Sequence, residues 1–205
     1  MHGMVSTRQY RGNSGEDRRL ERRVRLIDAA RNVFAAKGFH ASTVKSLCEA
    51  AGLTERYFYE SFHSTEALFI AMHKQTSEHI LDVLAAAIDA CRGDADQKVR
   101  ALLRAYFLDI QADPASARLF AVEAGFISPA AKEVCASWRQ SFGLTLERVW
   151  GVSQHNSALR SAVVRSLLAM GADWMESGFS TPVEQLVDAG TSLALVLRQH
   201  QRKPI

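Results

Sequence analysis

Proline and glycine are scarce in this chain, 4 and 12 in 205 residues. So little punctuation excludes a many-stranded sheet fold, which needs frequent turns, and favours long helices. Cysteine is scarcer still. Cys48, Cys91 and Cys135 stand alone; an odd count without a Cys-x-x-Cys argues against a disulfide framework and for a reducing, cytoplasmic compartment. No apolar run approaches the ~20 residues needed to span a bilayer, and the N-terminus lacks an apolar signal core, so no membrane association is expected. None of the seven histidines pairs at metal spacing with another histidine, a cysteine or an acidic cluster. A Walker loop, a dinucleotide-binding glycine pattern and a Gly-x-Ser-x-Gly are all missing. The expectation is therefore no enzyme, no metal and no cofactor.

What is present is a soluble composition, 47% hydrophobic and 23% charged, with length enough for one large domain or two smaller ones. The formal net charge of +3 is unevenly spread. Residues 1–63 hold 11 Lys/Arg against 7 Asp/Glu, and the remainder is slightly acidic. Seven arginines precede Leu26: Arg8, Arg11, Arg18, Arg19, Arg22, Arg23 and Arg25. Such an arm suits phosphate contact, or else it is a solvated tail without a partner.

The apolar period predicts an all-α fold of about nine helices, divided into a basic leader (1–19), a helix-turn-helix domain (20–64) and a helical ligand-binding and dimerisation domain (65–205). Leu26, Ile27, Ala30, Val33 and Phe34 define the buried face of a first helix that ends at Gly38. Thr43 is the expected cap of a second helix, Thr54 of a third, and Ser64 or Thr65 of a fourth that runs to about Cys91. Asp113-Pro114 and Ser128-Pro129 place proline at first helical positions. Later helices are expected at 95–112, 114–126, 129–152, 157–177 and 182–201.

The informative segment is Thr43 to Phe62, TVKSLCEAAGLTERYFYESF. Two short helices are separated by Ala51-Gly52, a small residue followed by one that adopts positive φ without strain. This is the arrangement of a helix-turn-helix, whose second helix presents its N-terminal side chains to a DNA major groove. Around it lie Ile27, Ala29, Ala30, Phe34, Gly38, Thr43, Tyr59, Phe62 and Glu66-Ala67-Leu68. In these residues the stretch from Leu26 to Leu68 resembles the N-terminal domain of the TetR family of transcription regulators.

The resemblance implies a homodimer that binds double-stranded operator DNA, commonly as a repressor, and responds to a small-molecule effector. By position, Thr43 and Tyr59 correspond to residues that hold phosphates, and Thr54, Glu55, Arg56 and Tyr57 open the recognition helix. Lys45, His63 and Thr65 complete the candidate DNA-binding set. Arg56 is the strongest donor; it either pairs with a guanine or forms a salt bridge with Glu60 at i, i+4. Two departures stand out: Thr65 where the family often has lysine, and Ser61 where it often has tyrosine.

For the rest of the chain, the last two helices are candidates for an isologous four-helix contact. Its residues would be Ala162, Val163, Ser166, Leu167, Ala169 and Met170 with Leu186, Ala189, Gly190, Leu193, Val196 and Leu197. Phe107, Phe120, Phe126, Trp138, Phe142 and Trp174 are the candidate ligand-binding residues, with plain core packing as the alternative for each. The rival functional class is an all-helical small-molecule-binding protein or enzyme with a vestigial helix-turn-helix.

Overall fold

A computed structural model describes residues 15–119, 127–151 and 157–199. Among these residues the regular structure is helical. The helices are α1 (Gly15–Lys37), α2 (Val44–Ala51), α3 (Glu55–Ser61), α4 (Thr65–Ala90), α5 (Ala95–Ala112), α6 (Pro114–Arg118), α7 (Pro129–Val149), α8 (Ser157–Glu176) and α9 (Val183–Gln199). None is long and apolar enough to cross a membrane.

Caps chosen by local chemistry set most of the boundaries. Ser64, Asp94, Asp113 and Ser128 each accept a backbone N–H of the following first turn. Three boundaries differ from the sequence reading, one of them the end of α7, at Val149 and not 152, where Gly151 turns the chain at φ 65°. Helix α1 begins at Gly15, so residues 15–19 belong to the helix and not to a leader. Those five residues carry no apolar period; Glu16 and Asp17 favour the positive end of the helix dipole instead. Helix α6 stops at Arg118, and the rest of the expected 114–126 helix lies outside the described residues.

Two apolar cores organise the molecule. In the head, Leu26, Ala30 and Phe34 of α1 pack with Leu47 of α2, Phe58 of α3 and Leu68 and Phe69 of α4, all fully buried. Met72, Leu119, Ala131 and Cys135 continue that core under α6 and α7, so the head is joined to the body by packing as well as by α4. In the body, Leu102, Leu103 and Phe107 of α5 pack with Phe142 and Leu146 of α7, Leu167 of α8 and Ala194 and Leu197 of α9.

The expected contact between copies needs revision at this point. Val163, Leu167, Leu186, Gly190 and Leu197 are buried inside the chain itself. Ala162, Ser166, Ala169 and Ala189 are exposed, and Met170, Leu193 and Val196 are half-buried. The period that marks a helix face does not say which chain fills it.

Candidate nucleic-acid interface and effector cavity

Helix α2 is fixed at both ends. The Thr43 hydroxyl accepts from Ser46 N at 3.2 Å, and the Ser46 hydroxyl accepts from Thr43 N at 3.1 Å, a reciprocal capping box. At the other end Gly52 takes φ 62° and ψ 40°, the left-handed conformation that turns the chain into α3.

The turn is held from outside by α1. Arg25 Nη2 donates to the carbonyl oxygens of Ala51 at 2.6 Å and Gly52 at 3.2 Å. Arg23 Nη1 donates to Ser61 O at 2.9 Å at the end of α3, with its guanidinium 4.2 Å from the Phe62 ring centroid. Arg22 lies 4.5 Å from the Tyr57 ring centroid and 3.4 Å from Glu60 Oε2. Three arginines grouped by the sequence with a phosphate-binding arm therefore buttress the helix-turn-helix from within. Arg18 and Arg19 stand exposed on the first turns of α1, and Arg8 and Arg11 lie outside the described residues. Charge was visible in the sequence; the direction in which each guanidinium points was not.

Most of the candidate DNA-binding residues are open to solvent. Thr43, Lys45, Thr54, Glu55, Arg56, Tyr57, Tyr59 and His63 are exposed, and Thr65 is half-buried. In α3 only Phe58 turns fully inward. The Arg56 side chain is 84% exposed, and its Nε donates to Glu60 Oε1 at 3.1 Å. An exposed i, i+4 pair of this kind contributes only ~0.3–0.5 kcal/mol, so it yields readily to a stronger partner. Thr54 sits at the N-cap position of α3 but makes no side-chain cap hydrogen bond, which corrects its expected capping role.

A cavity of about 280 Å³ opens where head and body meet. Arg31 comes to it from α1, Gln75, Thr76, His79 and Ile80 from α4, and Tyr106, Asp109 and Ile110 from α5. Asp113, Ser116 and Ala117 contribute from the start of α6, and Leu168, Gly171, Ala172 and Met175 from α8. His79 Nε2 lies 3.4 Å from Asp109 Oδ1. Burial, and then the nearby Asp109 carboxylate, push the Tyr106 phenol upward, so it remains a neutral hydroxyl. The Arg31 Nε is buried with no hydrogen-bond partner among the described residues.

Four of the aromatic residues singled out from the sequence are not among the described residues that line this cavity. Phe107, Trp138, Phe142 and Trp174 are in the body core, where Trp138 stacks on Phe142 at 5.5 Å and Phe107 meets Trp174 edge-on at 6.1 Å. Phe120 and Phe126 lie outside the described residues. Large rings fill space; the cavity is bordered instead by small residues, Ala117 and Ala172, while Gly171 lets Ile110 and Tyr106 approach α8 closely.

A buttressed helix-turn-helix, mounted on a helical body with a cavity at the joint, defines the class: an all-helical protein with a helix-turn-helix head. Residues 26–72 match the family described as bacterial regulatory proteins, tetR family. That match covers the head, from α1 into α4, and not the helical body. It is similar to the HTH-type transcriptional activator FasR of Mycolicibacterium smegmatis, 29% identical over 130 residues and covering 58% of each chain. It is similar also to the HTH-type transcriptional regulator UidR of Escherichia coli strain K12, 36% identical over 59 residues, 29% of this chain and 30% of that one. The matches thus span little more than half of the first relative and under a third of the second. The transcriptional regulator FadR from Bacillus subtilis, solved in complex with stearoyl-CoA, has the same fold, with a TM-score of 0.71 over 83% of this chain and 96% of that one at 16% identity.

Proposed function

We propose that the protein is a cytoplasmic, homodimeric transcription regulator that reads operator DNA with α3 and is released by a small molecule bound in the cavity. One observation carries the reading: α3 buries Phe58 and turns Glu55, Arg56, Tyr57 and Tyr59 outward. A helix kept only for packing has no reason to hold an arginine and two tyrosines in solvent. The exposed residues Ala162, Ser166, Ala169 and Ala189 supply small side chains for a close seam between two copies. Paired recognition helices then meet half-sites about one helical turn apart.

The cavity supports the sensing half of the proposal. Ligand sites run ~300–1,000 Å³, so this one, at about 280 Å³, suits a compact ligand or one end of a longer one. Ile80, Ile110, Leu168 and Met175 offer an apolar wall, and Arg31, His79 and Tyr106 offer polar contacts. Since a protein of the same fold was solved with stearoyl-CoA, acyl compounds are the first effectors to test. Coupling follows from which helices meet the ligand. Arg31 lies on α1, the helix whose Arg22, Arg23 and Arg25 hold α3 and the turn before it. Helix α4 supplies another wall and closes the head's core. A ligand that prefers one arrangement of α1 and α4 shifts the population of heads spaced for DNA.

Repression by operator occupancy is the principal reading; activation is the second, favoured by the name of the FasR relative. The test is a mobility-shift titration on DNA from upstream of the protein's own gene, at two salt concentrations. It is repeated with acyl-CoA compounds of graded chain length. Sequence-specific retardation that weakens with salt supports the regulator. Retardation indifferent to sequence would refute it, and a promoter fusion in cells with and without the protein separates repression from activation.

A further inference from the structure

We infer that a cleft of about 270 Å³ between α7 and α8 is a second binding site, for a small multiply charged anion of the phosphate class. Three guanidiniums line it, those of Arg139, Arg160 and Arg165, together with the neutral donors Gln140, Ser157 and Ser161. This chemistry differs from that of the effector cavity, and none of these residues lies on α2 or α3.

Arg160 is set in place from beneath. Its Nη1 donates to Glu147 Oε2 at 2.9 Å, and the two side chains are only 14% and 3% exposed. Removing a carboxylate from water is costly, and pairing it with one arginine fixes that arginine's position. The neighbouring helix makes room for the arrangement. A Cβ on Gly143 would stand 2.5 Å from Arg160 Cγ, 2.7 Å from Arg160 Cδ and 3.1 Å from Val164 Cγ2. Glycine at 143 thus lets the Arg160 stem lie against α7.

The remaining charge is uncompensated. Among the described residues neither Arg139 nor Arg165 forms an ion pair; Arg165 Nε donates only to the Ser161 hydroxyl, at 3.4 Å. Three cations therefore face one carboxylate, and that carboxylate is already engaged. Guanidiniums crowded into one cleft repel each other until an anion enters. Their planar forks match the paired oxygens of phosphate, and hydroxyl and amide donors satisfy the oxygens left over.

The experiment is calorimetric titration of the full chain with inorganic pyrophosphate, at ionic strength held constant with chloride. Saturable binding of one pyrophosphate per chain is expected. Arg139→Gln combined with Arg165→Gln should raise the Kd at least tenfold. Gln140→Glu, an exposed substitution that leaves the fold intact, should raise it several-fold by adding a carboxylate to the cleft. Arg92→Gln, which removes an exposed arginine elsewhere, should leave the Kd unchanged. The assignment is overturned if pyrophosphate does not saturate, or if the cleft variants bind it like the parent chain. It is equally overturned if those variants alter only duplex DNA binding or only the association state, because the arginines would then serve a nucleic-acid or subunit contact.

Discussion

Arg25 and Gly52 form one device: the guanidinium that accompanies the turn carbonyls lies 3.0 Å from where a Cβ on residue 52 would stand. Gly52→Ala therefore meets two penalties, left-handed backbone and a displaced arginine. Each substitution, Gly52→Ala and Arg25→Ala, is expected to lower stability by about 1–2 kcal/mol in chemical denaturation. Operator affinity should fall more steeply than stability, because the angle between α2 and α3 changes. Unaltered retardation of DNA by either variant would show that the buttress is dispensable for recognition.

The outward residues of the head should divide by role. Arg56→Ala is expected to relax preference at particular base pairs, each worth about 1–3 kcal/mol. Thr43→Ala and Tyr59→Phe should weaken binding evenly across sequences. Competition between operator and scrambled duplexes separates the two patterns. A uniform loss for Arg56→Ala would make it a phosphate contact.

His73 brings a pH dependence. Its ring is buried, with Nε2 3.2 Å from Cys135 Sγ and Nδ1 3.3 Å from Ser77 Oγ. Burial, followed by the Arg139 charge on α7, lowers its pKa to about 4. The unfolded chain takes up this proton near pH 6.5, the folded chain only near 4. Between those values the unfolded state holds more protons, so stability falls as pH falls. The stabilising contribution is complete above about pH 6.5 and is lost by about pH 4; it amounts to about 3 kcal/mol. His73→Gln should flatten that part of a stability–pH curve, and an unchanged slope would assign it to other groups.

Filling the cavity should separate sensing from reading. Ala172→Leu adds volume at a half-buried wall residue on α8, away from the head. Operator affinity is expected to stay within about twofold, since overpacking at a partly open site costs under ~1 kcal/mol. An acyl-CoA that weakens the parent complex should have at least tenfold less effect on the variant. Equal response of both proteins would place the effector elsewhere.

Local chemistry was legible in the sequence; directions in space were not. Thr43, Gly52 and Ser64 announce helix ends through side chains that act within a few residues, and the structure puts the boundaries there. The start of α1 was missed because Gly15 to Arg19 form a helix turn held without apolar residues. The cavity was missed for the opposite reason. Its small wall residues, Ala117 on α6 and Ala172 on α8, carry no signal until the two helices are packed. The roles of Arg22, Arg23 and Arg25 likewise depend on partners 26 to 38 positions away along the chain.

Glu60 touches two guanidiniums at once, Arg56 through Oε1 at 3.1 Å and Arg22 through Oε2 at 3.4 Å. Were Arg56 to swing away toward a nucleic acid, the carboxylate would not be orphaned, because Arg22 of α1 holds the other oxygen. On the proposed function, an acidic side chain close to a polyanion would thereby stay partly neutralised during docking. Recognition can proceed as a hand-off, one arginine departing while the other stays.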